Sequence, residues 1–493
     1  MEKTLKELVA FAQLHLGLAE EDALYVYQML LGHYKSLPPY EGEIDLEALK
    51  PLDRPDVIRV KLAEKLLGMG YAGKRLDEEI SFLFGAVTPL PSRVKARFEE
   101  LRAKNPEEAT EYLYELAVYS DYVKKTAIEA NVHFDYMASW GKEIEVSINL
   151  SKPEKKNSDI AKLLSAPKVR EYPPCALCYE NLGYYGDDKH ADRSNLRFVE
   201  LEIEGEKWYL QFSPYGYFKR HCILFAKDHS PMEISPRIFK ALLGFVDLFP
   251  HYFIGSNADL PIVGGSILNH EHFQGGEHLL PLTKAGMKKR VAEKGNLTVD
   301  IVDFPVSTLL VRSPDKKEVL EAAEKILSSW RGYDDMENNI LSHTGEARHN
   351  TITLICRKVE GTYYMYMMLR NNRCDEHYPE GIFHAHPDKF HIKSEGIGLI
   401  EAGGLFILPA RLKRQGKEVE DCVENGWSLE EAKSHYEDIE PFWGMVEQMR
   451  SRHQSVEEYL GDVCQNILKD VAVFKEDSVG EAGFDRFVEV CKL

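Results

Sequence analysis

The densest chemistry in the chain lies in Gly264-Gly265-Ser266-Ile267-Leu268-Asn269-His270-Glu271-His272-Phe273-Gln274-Gly275-Gly276. On a strand, residues two apart project from the same face, so His270, His272 and Gln274 are expected on one side and Glu271 and Phe273 on the other. Two imidazoles and a carboxamide are costly to bury unpaired. The flanking diglycines, which let a ligand approach the backbone, tip this face toward function rather than a satisfied strand end. A neutral imidazole is nucleophilic near pH 7, so covalent group transfer is open to it.

A second cluster is Cys175-Ala176-Leu177-Cys178, preceded by Pro173-Pro174. Two thiolates at this spacing can grip one tetrahedral ion, but two further ligands must come from elsewhere. On the motif alone, a metal site, a redox pair and buried thiols all stay open; a thioredoxin-type role is least supported, because no strand-to-helix context surrounds it. Lys227-Asp228-His229-Ser230-Pro231 offers a third ligand, although a lone histidine there reads equally as a loop residue. The other six cysteines are dispersed and read as reduced thiols.

Elements must hold these residues. Apolar stripes at Leu5, Leu8, Val9, Ala12 and Leu16, then at Ala23, Val26, Tyr27, Leu30 and Leu31, predict helices, followed by a helix from Ser92 through Ala103 and one from Pro106 to Val123. Alternation from Ile144 to Leu150 predicts the first strand, and Ser151 to Asp159 a polar linker. Strand-like runs at 198–204 and 207–212 predict a hairpin, His221 to Ala226 another strand, and Ser235-Pro236 the start of a helix reaching Phe249, with a short strand at Tyr252 to Ile254. A similar order recurs: a strand at Leu309 to Val311, a helix from Ser313-Pro314 to Trp330, and a hairpin about Glu360-Gly361. Each half then ends in a His-x-His, the second being His384-Ala385-His386, so duplication is the expected origin. The organisation expected is helical over 1–140, a first half over 141–300, a second over 301–425 and a helical tail over 426–493. The fold class is α+β.

Composition bounds the partners. The 493 residues exceed one core and suggest two or three domains. No run reaches the ~18–20 apolar residues of a membrane span, and Met1 to Glu7 lacks the pattern of a secretory signal, so a soluble, cytoplasmic protein is expected. A net charge of −19 disfavours nucleic-acid backbones but leaves anionic small molecules open. The stretch from Ser342 to Arg373 carries five basic residues against two acidic ones, which alone reads as chance on a solvated face.

In order along the chain, Cys175-Ala176-Leu177-Cys178-Tyr179-Glu180-Asn181, Asp228-His229-Ser230 and Asn269-His270-Glu271-His272-Phe273-Gln274 resemble the galactose-1-phosphate uridylyltransferases of the histidine-triad superfamily. The helical N-terminus, the length, and Thr88-Pro89-Leu90-Pro91-Ser92 and Ser147-Ile148-Asn149-Leu150-Ser151-Lys152-Pro153-Glu154 are similar to the second, bacterial class of that family. The resemblance implies ping-pong exchange in galactose metabolism: UDP-glucose gives its uridylyl group to a histidine, and galactose-1-phosphate takes it up. It implies His272 as nucleophile and Gln274 as holder of a phosphate oxygen. It also implies a structural zinc on Cys175, Cys178, His229 and His270, and a homodimer. Asn257, Ser266, Asn269 and Lys389 are the substrate contacts it suggests.

The sequence departs from the better-known class, which has Pro and Gly where Glu271 and Phe273 stand. Glu271 is expected to face solvent, or else to bind a sugar hydroxyl. His384-Ala385-His386 resembles a family segment near a second, dispensable metal. No second nucleophile is expected there, because Asp388 stands where a glutamine would be needed. Two other readings compete: a histidine-triad nucleotide hydrolase or phosphorylase, with water or phosphate as acceptor, and a non-catalytic zinc-stabilised binding module.

Overall fold

The computed structural model describes residues 1–151, 172–187 and 189–493; most of the linker expected from Ser151 to Asp159, and the end of the segment reaching Glu154, lie outside the described residues. The chain divides into two compact units, Met1–Glu129 with Pro167–Ser230, and Ala130–Ala166 with Pro231–Leu493.

In the first unit the apolar stripes become helices. Glu2–His15 buries Leu5, Leu8, Val9 and Ala12, and Glu20–His33 buries Ala23, Val26, Tyr27, Leu30 and Leu31. The helix expected to open at Ser92 opens one residue earlier, at Pro91, because proline at the first helical position has no N–H to leave unsatisfied. Asn105 caps Pro106–Tyr119 by accepting from the Glu107 N–H at 2.9 Å. Three antiparallel strands, Val199–Ile203, Glu206–Phe212 and Cys222–Ala226, follow, with Val199 opposite Leu210 and Trp208 opposite Ala226. Both residues of the first turn, Glu204 and Gly205, have positive φ, as a tight hairpin between twisted strands requires.

The second unit holds two sheets. In the smaller, Val132–Met137 runs antiparallel to Glu143–Asn149, which pairs in parallel with Leu405–Pro409. In the larger, seven strands follow one another antiparallel in the order His272–Gly276, Phe253–Ser256, Asn350–Val359, Thr362–Asn371, Thr308–Ser313, Leu297–Val302 and Met287–Lys294. Helices Pro236–Leu248 and Lys316–Arg331 pack on it, and Arg411–Asn425, Trp443–Arg452, Val456–Val471 and Ser478–Cys491 form the tail.

The α+β class is as expected. Along the chain, three antiparallel strands, a helix and two sheet strands occur twice, over 199–276 and over 287–371, the second copy adding the short hairpin His343–Thr344 and Ala347–Arg348 after its helix. Four strands of these two sheets are not expected from the sequence: Met287–Lys294, Leu297–Val302, Leu405–Pro409, and Val132–Met137, although the last alternates in burial. Met287–Lys294 is the last strand of the sheet order and is largely charged and exposed, which protects an edge but hides the alternation. Val132–Met137 and Leu405–Pro409 flank the one strand of the small sheet that the alternation revealed.

Candidate active site

The nucleophile candidate sits where the chain enters the strand His272–Gly276. That strand pairs with Phe253–Ser256, Gly255 lying opposite Gln274. Carried two residues further, the same register sets Asn257 across from His272, so His272, Gln274 and Asn257 share one face. The His272 ring is 6 % exposed, and its Nδ1 lies 2.8 Å from the carbonyl oxygen of His270. A carbonyl only accepts, so Nδ1 carries the proton and Nε2 the lone pair. His270 itself precedes the strand and is fully buried.

Glu271 corrects an expectation. It does not face solvent: it is 4 % exposed, and its carboxylate accepts from Arg237 Nη1 at 2.6 Å, at the start of helix Pro236–Leu248. The two residues are 34 apart in sequence, and nothing in the local pattern announces the pair. The diglycines also differ from expectation, since at three positions the space is taken by the protein itself. A Cβ on Gly264 would lie 2.6 Å from the carbonyl oxygens of Ala258 and Leu260, one on Gly265 would lie 2.6 Å from Asn257 Nδ2, and one on Gly275 would strike the Phe253 carbonyl.

Of the suggested substrate contacts, Asn257 is buried and its Oδ1 accepts from the Leu399 N–H at 2.7 Å. Ser266 and Asn269 are exposed in the loop leading to the strand. Lys389 Nζ is engaged by two carboxylates, Asp388 at 2.8 Å and Asp470 at 3.1 Å. Burial alone would lower its pKa, but the two carboxylates raise it. Downstream, His278 Nε2 lies 2.6 Å from a Glu145 oxygen, and Lys284 holds the other at 2.8 Å, joining the end of this strand to the small sheet.

Three of the four suggested metal ligands belong to the first unit. Cys175 Sγ lies 3.4 Å from Cys178 Sγ, Cys178 Sγ lies 3.1 Å from His229 Nδ1, and the ligand atoms of all three fall within 4.8 Å of one another. The neighbouring Cys175 sulphur and burial push the Cys178 thiol well above its ordinary pKa. Two sulphurs this close ionise together only around a cation, so this donor set fits a zinc-type ion.

The second His-x-His has a different setting. His384-Ala385-His386 lies in a loop before the short turn Pro387–Lys389, not on a strand. His384 is buried; its Nε2 lies 3.3 Å from the Glu395 carbonyl and its Nδ1 has no partner among the described residues. Burial and the adjacent Arg370 charge push its imidazole down to about 4. His386 stacks on Tyr378 at 4.1 Å and lies 3.5 Å from Asp470. A guanidinium beside His384 opposes a cation there, so these residues do not fit a second metal. The basic stretch is likewise no single patch: Arg348 pairs with Asp259 at 2.9 Å, Lys358 with Asp247 at 2.7 Å, and Arg370 is fully buried.

His272 and Gln274 set an imidazole and a carboxamide on one face of a strand, residue types that group transfer can use. Comparison with known proteins supplies the family. The chain matches the galactose-1-phosphate uridyl transferase N-terminal domain over residues 76–231 and the C-terminal domain over 245–439. Galactose-1-phosphate uridylyltransferase of Clostridium acetobutylicum is 38% identical over 99% of both chains; that of Ligilactobacillus salivarius is 41% identical over 88% of both. Galactose-1-phosphate uridylyltransferase 2 of Streptococcus pneumoniae is 42% identical over 95% of both. Among solved structures, yeast Ap4A phosphorylase Apa2 covers 63% of this chain and 92% of its own at 9% identity and a TM-score of 0.37. The chain belongs to the galactose-1-phosphate uridyl transferase family and is an enzyme.

Proposed function

We propose that this enzyme moves a uridylyl group from UDP-glucose to galactose-1-phosphate through a covalent adduct on His272, in galactose metabolism. The observation that carries the reading is the His272 tautomer. With Nδ1–H donating to the His270 carbonyl at 2.8 Å, Nε2 presents its lone pair. Nε2 attacks the α-phosphorus, the bond to the bridging oxygen breaks, and glucose-1-phosphate leaves with the electron pair. A phosphate oxygen of galactose-1-phosphate then attacks the same phosphorus, the N–P bond breaks, and UDP-galactose forms. The Nδ1–H···O=C contact steadies the positive charge on the ring while the adduct stands. Gln274 holds a non-bridging phosphate oxygen, and an amide adds no base that would activate water. Asn257, Ser266 and Asn269 contact the substrates; Lys389 joins them by exchanging one of its two carboxylates for a phosphate.

Cys175, Cys178, His229 and His270 hold zinc in this reading. The ion supplies structural rigidity, and His270 then ties it to the strand that begins at His272. The domain scheme proposed is helical over 1–140, halves over 141–300 and 301–425, and a tail over 426–493. A cytoplasmic homodimer follows the family resemblance, and light scattering on the purified enzyme tests the dimer. No helix among the described residues is long and apolar enough to cross a membrane.

Incubating enzyme with UDP-glucose alone tests the mechanism. Release of glucose-1-phosphate before any acceptor is present, with uridylate retained in an acid-labile, base-stable linkage, is expected. Turnover with water or inorganic phosphate as acceptor, and none with galactose-1-phosphate, would establish a hydrolase or phosphorylase instead. Zinc bound with no covalent adduct and no turnover would indicate a binding module.

A further inference from the structure

Arg370 is a fully buried cation with no carboxylate in hydrogen-bonding reach among the described residues. It lies on strand Thr362–Asn371, donates through Nη2 to the Ile397 carbonyl at 2.7 Å and through Nη1 to Thr353 Oγ1 at 3.3 Å, and leaves a buried Nε without a partner among the described residues. Such a group is costly. An apolar side chain of similar volume would serve stability as well or better, so stability does not account for the guanidinium. What it holds is the extended backbone that leads into the short helix Leu399–Ala402. Two residues after Ile397, the Leu399 N–H donates to Asn257 Oδ1 at 2.7 Å. Between them, Gly398 leaves the room this needs, since a Cβ there would stand 2.8 Å from Asn257 Oδ1.

The consequence is a direction. With Oδ1 accepting from Leu399, the amide of Asn257 points its NH2 end away from that helix start and toward Gly265, and that NH2 has no acceptor among the described residues. It therefore presents two N–H donors on the face of His272 and Gln274, the polarity a phosphate oxygen requires. We propose that Arg370 is a positioning residue which, through the Ile397–Leu399 backbone, fixes the Asn257 carboxamide as a donor toward the substrate phosphate. This rests on the uridylyl-transfer reading above.

Initial rates of UDP-galactose formation by the full-length enzyme test it, using Asn257→Ala, Arg370→Met, Gly398→Ala and the pairwise combinations with Asn257→Ala. Asn257→Ala is expected to lower kcat about ten- to a hundredfold, the range for loss of a donor to developing charge. Arg370→Met and Gly398→Ala should each lower kcat in the same direction while KM changes little. Neither should slow the Asn257→Ala enzyme further, because residues that act through one another are not additive. Arg370→Lys, which retains one donor for Ile397, should recover part of the loss. Gly398 has φ −86°, a backbone alanine adopts without strain, so this variant carries the test if Arg370→Met fails to fold. Multiplying losses in the double variants would overturn the proposal, because Arg370 would then act elsewhere. Wild-type kcat in Asn257→Ala overturns it too, yet leaves the His272 adduct standing. Absence of any adduct in the wild type instead sinks the transfer reading itself.

Discussion

The chain carries His-x-His twice, and the two copies do different things. His270-Glu271-His272 enters a strand, where period-two geometry lines His272 up with Gln274 and a backbone carbonyl fixes the ring tautomer. His384-Ala385-His386 lies in a loop, with one ring buried beside Arg370 and the other stacked on Tyr378. In the first, the intervening residue is a buried glutamate paired with Arg237; in the second it is a buried alanine. Identical spacing therefore gives one ring aligned with a carboxamide on a strand face, the proposed nucleophile, and elsewhere two rings packed in a loop. What separates them is whether the flanking backbone is a strand, which aims alternate side chains at one face.

The contrast can be broken most directly at the two rings. His272→Gly should lower exchange between UDP-glucose and galactose-1-phosphate by more than about a thousandfold, yet accept a pre-formed uridylyl-imidazole as donor. His384→Asn should exchange near the wild-type rate. Comparable losses in both variants would erase the distinction drawn here.

A smaller effect concerns the metal proposed on the first motif only. Elemental analysis should find about one ion per chain, and Cys175→Ser should lower the melting temperature by roughly 5–10 °C while His384→Asn leaves metal content unchanged. A metal-free wild type of full stability would remove the site.

Next comes the residue between the first pair of histidines. Arg237→Ala leaves the Glu271 carboxylate buried without this partner and should cost about 1–2 kcal/mol in urea unfolding, reduced from a fully buried pair because Arg237 is half-exposed. Glu271→Gln in the same background should restore part of that loss.

The smallest effect is a pH dependence of the second pair. His384 ionises near 4 in the fold against 6.5 unperturbed, so the folded state binds fewer protons between these values. Its contribution to stability is present above the higher value and is lost as pH falls through the lower one. His384→Asn should flatten this part of the pH–stability curve, with a difference of about 1 kcal/mol around pH 6. A wild-type slope unchanged in the variant would contradict the burial of a neutral ring.

Features that depend only on neighbours along the chain are legible in the residues themselves. Helical stripes such as Leu5, Leu8, Val9 and Ala12 set the buried faces, and Glu360-Gly361 set a hairpin whose two turn residues both take positive φ. The alternation of His272 and Gln274 set a common face, and the cysteine spacing brought two sulphurs within 3.4 Å. These follow from backbone periods and turn sterics, which a few residues contain in full. Packing alone buries Glu271 against Arg237, makes room at Gly264 and Gly265 for the protein's own chain, and sets the Arg370 guanidinium on the Ile397 carbonyl two residues before the Leu399 N–H that Asn257 accepts. The Asn257–Leu399 bond joins residues 142 apart. No local pattern encodes such pairs, because a buried polar group must be satisfied by whatever the fold brings beside it, and that neighbour is chosen by packing rather than by sequence distance.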